Sequence, residues 1–363
     1  MQLTKGAKLP LDVINIIFKW VYYRSPDDEA ADWENVEEEA RKRFETLSNF
    51  CSVYKVCGNP ELWRRQDQAV NNEILLRTLA AWIEAAASSS PAEIRTYKRI
   101  VNSIIQSGNF DPNAPIETRT KGTLRPLTLL VLLYNATDDR DHVIELMEML
   151  LKQGANVNGG DEDDEIYASG GSLSPLMWAV HTWSNVLVNF LLSRGANPNL
   201  LMDADLELGY PDNSTALTMA ANSGNDEAVK LLLKRGADPN IGNPLAAYVG
   251  SAEESRTEMI QRLLDHGAKV DEENEEGETP LMIASSNGYL DVVRILLEHG
   301  AQPTEEDLAL AQADEVVNEL RRAMQAKKLK GAQVGRHPLS RSEVERKLNR
   351  YYRYGGVPVK EFL

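Results

Sequence analysis

The sequence has little of what most catalytic, secreted or membrane-spanning chains require. Cysteine occurs only at Cys51 and Cys57. Two are too few for a disulfide framework and are what a reducing compartment permits, so both read as buried thiols. No run approaches the roughly 20 consecutive apolar residues of a membrane span. The segment Met1 to Pro10 has no apolar core of the kind a secretory signal carries. The five histidines, His142, His181, His266, His299 and His337, are scattered without metal-ligand spacing. The chain also lacks a G-x-x-x-x-G-K-[ST] phosphate loop, a G-x-S-x-G elbow and an H-E-x-x-H pair. Cys51 has no histidine in its own segment to activate it as a nucleophile. The expectation is a soluble intracellular protein that is not an enzyme and takes no cofactor or metal.

Positive charge is scarce over most of the chain. The formal net charge is −16, yet from Arg321 to Leu363 there are 12 Lys and Arg against 3 Asp and Glu, which leaves −25 on the first 320 residues. An acidic body cannot neutralise phosphates, which argues against nucleic acid as its partner, and it suits either simple solubility or attraction to a basic partner. With 363 residues and 42% hydrophobic content the chain is long enough for two or three cooperative units with a sizeable core.

What the sequence does contain is a repeat. Aligning on a recurrent glycine gives Gly108, Gly154, Gly195, Gly236, Gly267 and Gly300, hence six repeats. Five are followed by an Ala-containing turn, which bears Asn or Asp in four, as in Gly195-Ala196-Asn197-Pro198-Asn199; the earliest, Gly108 to Asn113, is degenerate. Glycine supplies the left-handed conformation that closes a helix, and Asn and Asp suit the turn after it. Pro175 to Gly195, Ala216 to Gly236 and Pro280 to Gly300 each span 20 positions, a constant helix pair, and the proline that starts two of them costs no hydrogen bond at the first turn. Pro126 to Gly154 spans 28 and Pro244 to Gly267 spans 23, and the extra residues, near Asn135 to His142 and Ala252 to Arg256, are expected to bulge between the two helices. The most regular copy, GETPLMIASSNGYLDVVRILLEHGAQP from Gly277 to Pro303, resembles the ankyrin repeat. The resemblance implies an all-α solenoid of about six helix pairs over residues 79–325 that acts through its surface. Thr304 to Met324 reads as a C-terminal capping repeat with a polar outer face.

Departures from that regular copy are the candidates for recognition. Two inter-repeat connections are enlarged to 21 positions and hold the acidic segments Asp161 to Asp164-Glu165-Ile166-Tyr167 and Asp203 to Asp212, the second with Tyr210. Loops on a rigid scaffold are where binding residues concentrate, although neutral drift in a solvated loop explains the same insertions. Trp183 occupies the position of Gly224 and Gly288 in sister repeats, either to mark function or to pack against a neighbouring finger. The position that is His in the ankyrin T-P-L-H signature is Met177, Thr218 and Met282 here. The expected target-binding set is Tyr167, Met177, Trp178, His181, Trp183, Tyr210, Met219, Asn222 and Met282.

Ahead of the repeats, Leu9-Pro10-Leu11, Ile14, Ile17 and Phe18 are followed by an acidic interval (Pro26 to Ala40, eight acidic residues and no basic ones) and then by Phe50, Cys51, Val53, Tyr54, Pro60, Leu62, Trp63 and Arg64. This pattern resembles an F-box over about residues 8 to 66. The resemblance implies a small helical module that docks onto the adaptor of a cullin-type ubiquitin ligase through Leu9, Pro10, Leu11, Ile14, Ile17, Phe18, Phe50, Val53 and Trp63. The same apolar residues are equally explained by a helical cap on the array. The expected organisation is therefore an F-box-like module at 1–66, a linker at 67–78, ankyrin repeats with their cap at 79–325 and a basic tail at 326–363. The tail could dock on the acidic body, serve anionic partners, or, through Val357-Pro358-Val359, echo the SOCS box.

The function expected from all this is substrate recognition for a ubiquitin ligase, in the cytoplasm or nucleus of a eukaryotic cell, its own or a host's. The alternative is an ankyrin scaffold or inhibitor that binds a partner and recruits no ligase. A membrane or nucleic-acid binder acting through the tail ranks last.

Overall fold

The computed structural model describes residues 60–64, 68–88, 91–118, 122–159, 173–202, 213–251, 257–274 and 276–329. They fall in two compact units, the first reaching Met219 and including Lys234–Gly236, the second made of Ala220–Leu233 and the residues from Ala237 on.

The first unit opens with α1 (Pro60–Arg64), α2 (Gln68–Ser88) and α3 (Pro91–Ser107). On α3 the residues Ile100, Val101, Ile104 and Ile105 recur at helical spacing and are fully buried. Each such side chain contributes about 1.5–3 kcal/mol relative to exposure. Ile74, Leu75, Leu79 and Trp82 of α2 are buried as well, because α2 is sandwiched between α3 and a later helix. The stretch 67–78, expected as a linker, is thus corrected: residues 68–78 are the first half of a core helix. Trp63 is fully buried, and its carbonyl accepts the Asn71 side-chain amide at 2.8 Å and that of Asn109 at 3.0 Å.

A short antiparallel hairpin, β1 (Ile116–Thr118) paired with β2 (Gly122–Leu124), leads into α4 (Pro126–Ala136) and α5 (Arg140–Lys152), and α6 (Pro175–His181) with α7 (Asn185–Ser193) follows. These are the only named strands among the described residues, and the fold is all-α. The eight extra positions of the stretched repeat do not bulge. The helix α4 has 11 residues against 7 in α6, and α5 has 13 against 9 in α7, so each helix gains four while the connection stays at three residues. Four residues are close to one turn, which lengthens both helices and keeps their buried faces in register. The first helix of each pair packs on the first helix of the next (α2 on α4, α4 on α6), and α3 packs on α5.

The helix α8 (Ala216–Asn222) carries the boundary between the units. The second unit continues with α9 (Asp226–Lys234), α10 (Pro244–Ser251), α11 (Thr257–Asp265), α12 (Pro280–Asn287), α13 (Leu290–Glu298), α14 (Glu305–Leu310) and α15 (Asp314–Leu329). Here α10 packs on α12 and α12 on α14, while α11 packs on α13 and α13 on α15. The second stretched repeat keeps ordinary helices of 8 and 9 residues, and its extra positions, 252–256, lie outside the described residues. A helix pair stands where the capping repeat was expected, with Asp314, Glu315, Arg321 and Arg322 exposed.

The turns that follow the closing glycines are cross-linked by a ladder of side-chain amides. Within a turn, the first Asx accepts the amide two residues on, as Asn197 does from Asn199 at 3.0 Å and Asp238 from Asn240 at 2.9 Å. The second Asn reaches the next repeat: Asn113 donates to the Gly154 carbonyl at 3.0 Å and accepts the Asn156 amide at 2.7 Å, and Asn240 does the same with Gly267 at 3.2 Å and Lys269 at 2.9 Å. Asp271 accepts the Gln302 amide at 3.1 Å but has no donor, and Gln302 itself donates to the Gly300 carbonyl at 2.5 Å. The ladder satisfies carbonyls and amides that helix ends leave open.

Candidate partner-binding surface

The sequence-derived target set separates by burial. Met177, Met219, Met282 and Trp178 are buried, which corrects their assignment as contacts: their side chains fill the stack. Ser174, Thr215 and Thr279 cap their helices, each accepting the backbone amide three residues on, of Met177, Thr218 or Met282, at 3.2 Å. His181 is half-buried, its ring edge-on to Trp178 with centroids 5.6 Å apart. Asn222 is exposed. Tyr167 and Tyr210 lie outside the described residues, as do Leu9, Pro10, Leu11, Ile14, Ile17, Phe18, Phe50 and Val53. Trp63, assigned to an adaptor contact, has no exposed surface, so it offers packing in place of recognition. The base of the second enlarged connection is held by a bridge in which the Met202 amide donates to the Ser214 carbonyl at 3.0 Å.

Trp183 stands apart. Its φ is 57°, in the left-handed region where Gly224 (67°) and Gly288 (75°) sit in sister repeats. The hydrogen bonding is the same at all three: Trp183 N–H donates to the Val180 carbonyl at 3.0 Å and Ser184 N–H to the Ala179 carbonyl at 2.9 Å, as Gly224 and Asn225 do to Ala221 and Ala220. A bulky L-residue in this conformation costs about 1–2 kcal/mol. Packing offsets that cost only in part, because Trp183 is 55% exposed, and this corrects the reading of Trp183 as core packing against a finger. Val186, in the first turn of α7, is 63% exposed.

The strained turn is held from the preceding repeat. Asn135, at the end of α4, donates to the Thr182 hydroxyl at 2.9 Å and accepts the Ser184 hydroxyl, gripping the residues on either side of Trp183. The Thr182 hydroxyl also donates to the Trp178 carbonyl at 2.8 Å. Sequence reasoning placed Asn135 in a bulge and missed this role. The one available signal was a polar amide at the end of the otherwise apolar LTLLVLLYNA helix. Just beyond it, Asp138 and Asp141 are exposed and have no ion-pair partner among the described residues, while Asp139 pairs with Lys98 at 2.5 Å.

Among the described residues no group of three or more His, Cys, Asp or Glu side chains could hold a metal ion, and no helix is long and apolar enough to cross a membrane. Two carboxyls are displaced from their ordinary titration range. Burial, reinforced by nearby Glu276, raises the Glu278 pKa, and burial raises that of Asp307 against the opposing hydrogen bonds from Thr304. Both groups stand in or beside turns, Asp307 as the partner of Thr304 in the capping box of α14.

Residues 132–243 and 243–307 match the family model described as ankyrin repeats in three copies. The chain is 42% identical over 66 residues to the ankyrin repeat and KH domain-containing protein mask of Drosophila melanogaster, a match that takes in 16% of this chain and 2% of that protein. It therefore spans a small fraction of that curated relative's length. Among solved structures, the chain is similar to the ankyrin repeat domain of Bcl-3, with 27% identity and a TM-score of 0.45 over 66% of this chain and 97% of the other. It is also similar to the human ASB11 ankyrin repeat domain, with 22% identity and a TM-score of 0.43 over 67% and 96%. The chain carries ankyrin repeats, and its fold is the all-α ankyrin-repeat solenoid.

Proposed function

We propose that this protein is a non-catalytic binding scaffold that holds a partner protein on its ankyrin repeats, and that residues 8–66 couple the array to the adaptor of a cullin-type ubiquitin ligase. Ankyrin repeats bind partner proteins. The observation that carries the scaffold reading here is Trp183, an aromatic side chain exposed at a position where the stack itself would be better served by glycine. The acidic connections around Tyr167 and Tyr210 favour a basic target. The ligase reading is supported by the F-box-like pattern from Leu9-Pro10 to Trp63-Arg64. It places the protein in the cytoplasm or nucleus of a eukaryotic cell, its own or a host's.

The second reading, a scaffold or inhibitor that recruits no ligase, is favoured by one observation. Trp63 is fully buried and its carbonyl is bonded to Asn71 and Asn109, so the end of the F-box-like pattern is continuous with the first helices of the array. The two are separated by capture of purified adaptor on the full-length chain, with a Leu9→Ala/Pro10→Ala variant beside it. Capture by the wild type and loss in the variant support the ligase reading. A wild-type chain that captures no adaptor leaves the scaffold or inhibitor.

A further inference from the structure

We infer that the turn holding Trp183 is a second docking edge of the first unit, and that its occupant is a partner segment pairing an arginine or lysine with an apolar residue. The inference rests on the scaffold reading but not on the ligase one.

The edge is set by chain direction. The helix α6 starts at Pro175, on the side of the amide-ladder turns, and runs away from them for seven residues, about 10 Å. Trp183 follows its far end, and α7 then returns to Gly195 and the turn at Asn197. Trp183 therefore stands on the margin opposite the ladder and its fingers, the place where ankyrin target contacts were expected from sequence. Two exposed apolar side chains, Trp183 and Val186, stand three residues apart there.

The conformation is maintained at a cost. A glycine would close α6 with the same hydrogen bonds and without left-handed strain, as Gly224 and Gly288 do for their helices. The tryptophan is nevertheless present, exposed, and gripped on both sides by Asn135. An over-determined strained residue at a surface is a mark of recognition.

Charge selects the occupant. The connection 137–139 is the counterpart of 182–184 one repeat earlier, and Asn135, two residues ahead of it on α4, bonds Thr182 and Ser184. Asp138 within this connection and Asp141 just after it are exposed, with no ion-pair partner among the described residues. An indole on this edge and carboxylates in the matching segment of the preceding repeat together suit a guanidinium or ammonium, by cation–π and ionic attraction, and Val186 offers an apolar contact. Asn135 is a positioning residue in this arrangement; it shapes the turn that presents Trp183.

The test is selection of displayed random 12-residue peptides on the full-length protein, followed by affinity measurement on Trp183→Gly and Asp138→Asn/Asp141→Asn. The glycine variant preserves the turn, so loss of folding does not confound it. The expected winners carry Arg or Lys beside an apolar residue, weaken roughly tenfold on Trp183→Gly, and weaken on the double Asn variant in low salt but much less in high salt. Peptides that are neutral or acidic, or that bind Trp183→Gly as well as wild type, overturn the inference while leaving the scaffold reading standing. It is also overturned if the wild type self-associates and Trp183→Gly makes it monomeric, because the edge is then a contact between copies.

Discussion

Asn135 donates its side-chain amide to the hydroxyl of Thr182 at 2.9 Å, across the junction between two consecutive repeats. It accepts from Ser184 with its other side-chain atom, so the backbone of Trp183 is held between two anchored neighbours. The strain at φ 57° is supported by this clamp and not by burial of the indole.

Trp183→Gly is accordingly expected to stabilise the protein, by about 1 kcal/mol once the greater freedom of glycine in the unfolded chain is set against the relieved strain. Urea unfolding at neutral pH checks the sign. A variant less stable than wild type would show that the indole contributes packing that its exposure conceals.

Asn135→Ala is expected to destabilise by about 1 kcal/mol in the wild-type background, where it releases two hydroxyls from a strained turn. In the Trp183→Gly background the cost is smaller, since the turn no longer needs restraint. A double-mutant cycle measures the coupling, and additive effects would separate the clamp from the strain.

The amide ladder predicts that Asn240 matters more than its exposure suggests. Asn240→Ala removes bonds to the Gly267 carbonyl and the Lys269 amide and is expected to cost about 1–3 kcal/mol in denaturant unfolding. Asp238→Ala, which removes the acceptor of the two Asn240 bonds within the turn, should cost less.

Met219 and Met282 were candidates for target contact on sequence grounds and are buried. Truncation of either to Ala is expected to lower stability by about 2–4 kcal/mol, through lost burial and the cavity left behind. Partner affinity, measured below the unfolding transition, should change little.

Asp307 gives the pH dependence. Its folded-state pKa is raised by burial, so its contribution to stability is fully present below the ordinary value of 3.8 and is lost as pH rises through the folded value. Asp307→Asn, which keeps an acceptor for the Thr304 amide, should be at least as stable as wild type at pH 7. The advantage should vanish as pH falls toward 3.8, as followed by chemical unfolding across that range.

Some of this was legible from one-dimensional information because it is a matter of local backbone chemistry. The recurrent glycine, the Pro at the helix start and the Asn and Asp after the glycine each answer a requirement met within a few residues, and the helix pairs appear where that spacing put them. The equivalence of Trp183 with Gly224 and Gly288 was legible for the same reason. Other features were not. The expected bulge near Asn135 to His142 became an extra turn on each of two helices, because eight residues divide into two near-complete turns that keep the buried faces aligned. The expected linker became the front of α2, since Ile74 and Leu75 find partners only once α3 is beside them.

The sequence by itself determined the repeat, its period, its helix ends and the acid-rich character of the body, since each follows from residue type and spacing. The tertiary structure alone decided which residues remain for a partner. Met177, Met219, Met282 and Trp63 are consumed by packing, while Trp183 is left largely in solvent at a strained turn whose residue Thr182 is held by Asn135 from 47 residues away. Burial and long-range hydrogen bonding depend on which repeat stacks on which face, and no local pattern encodes that.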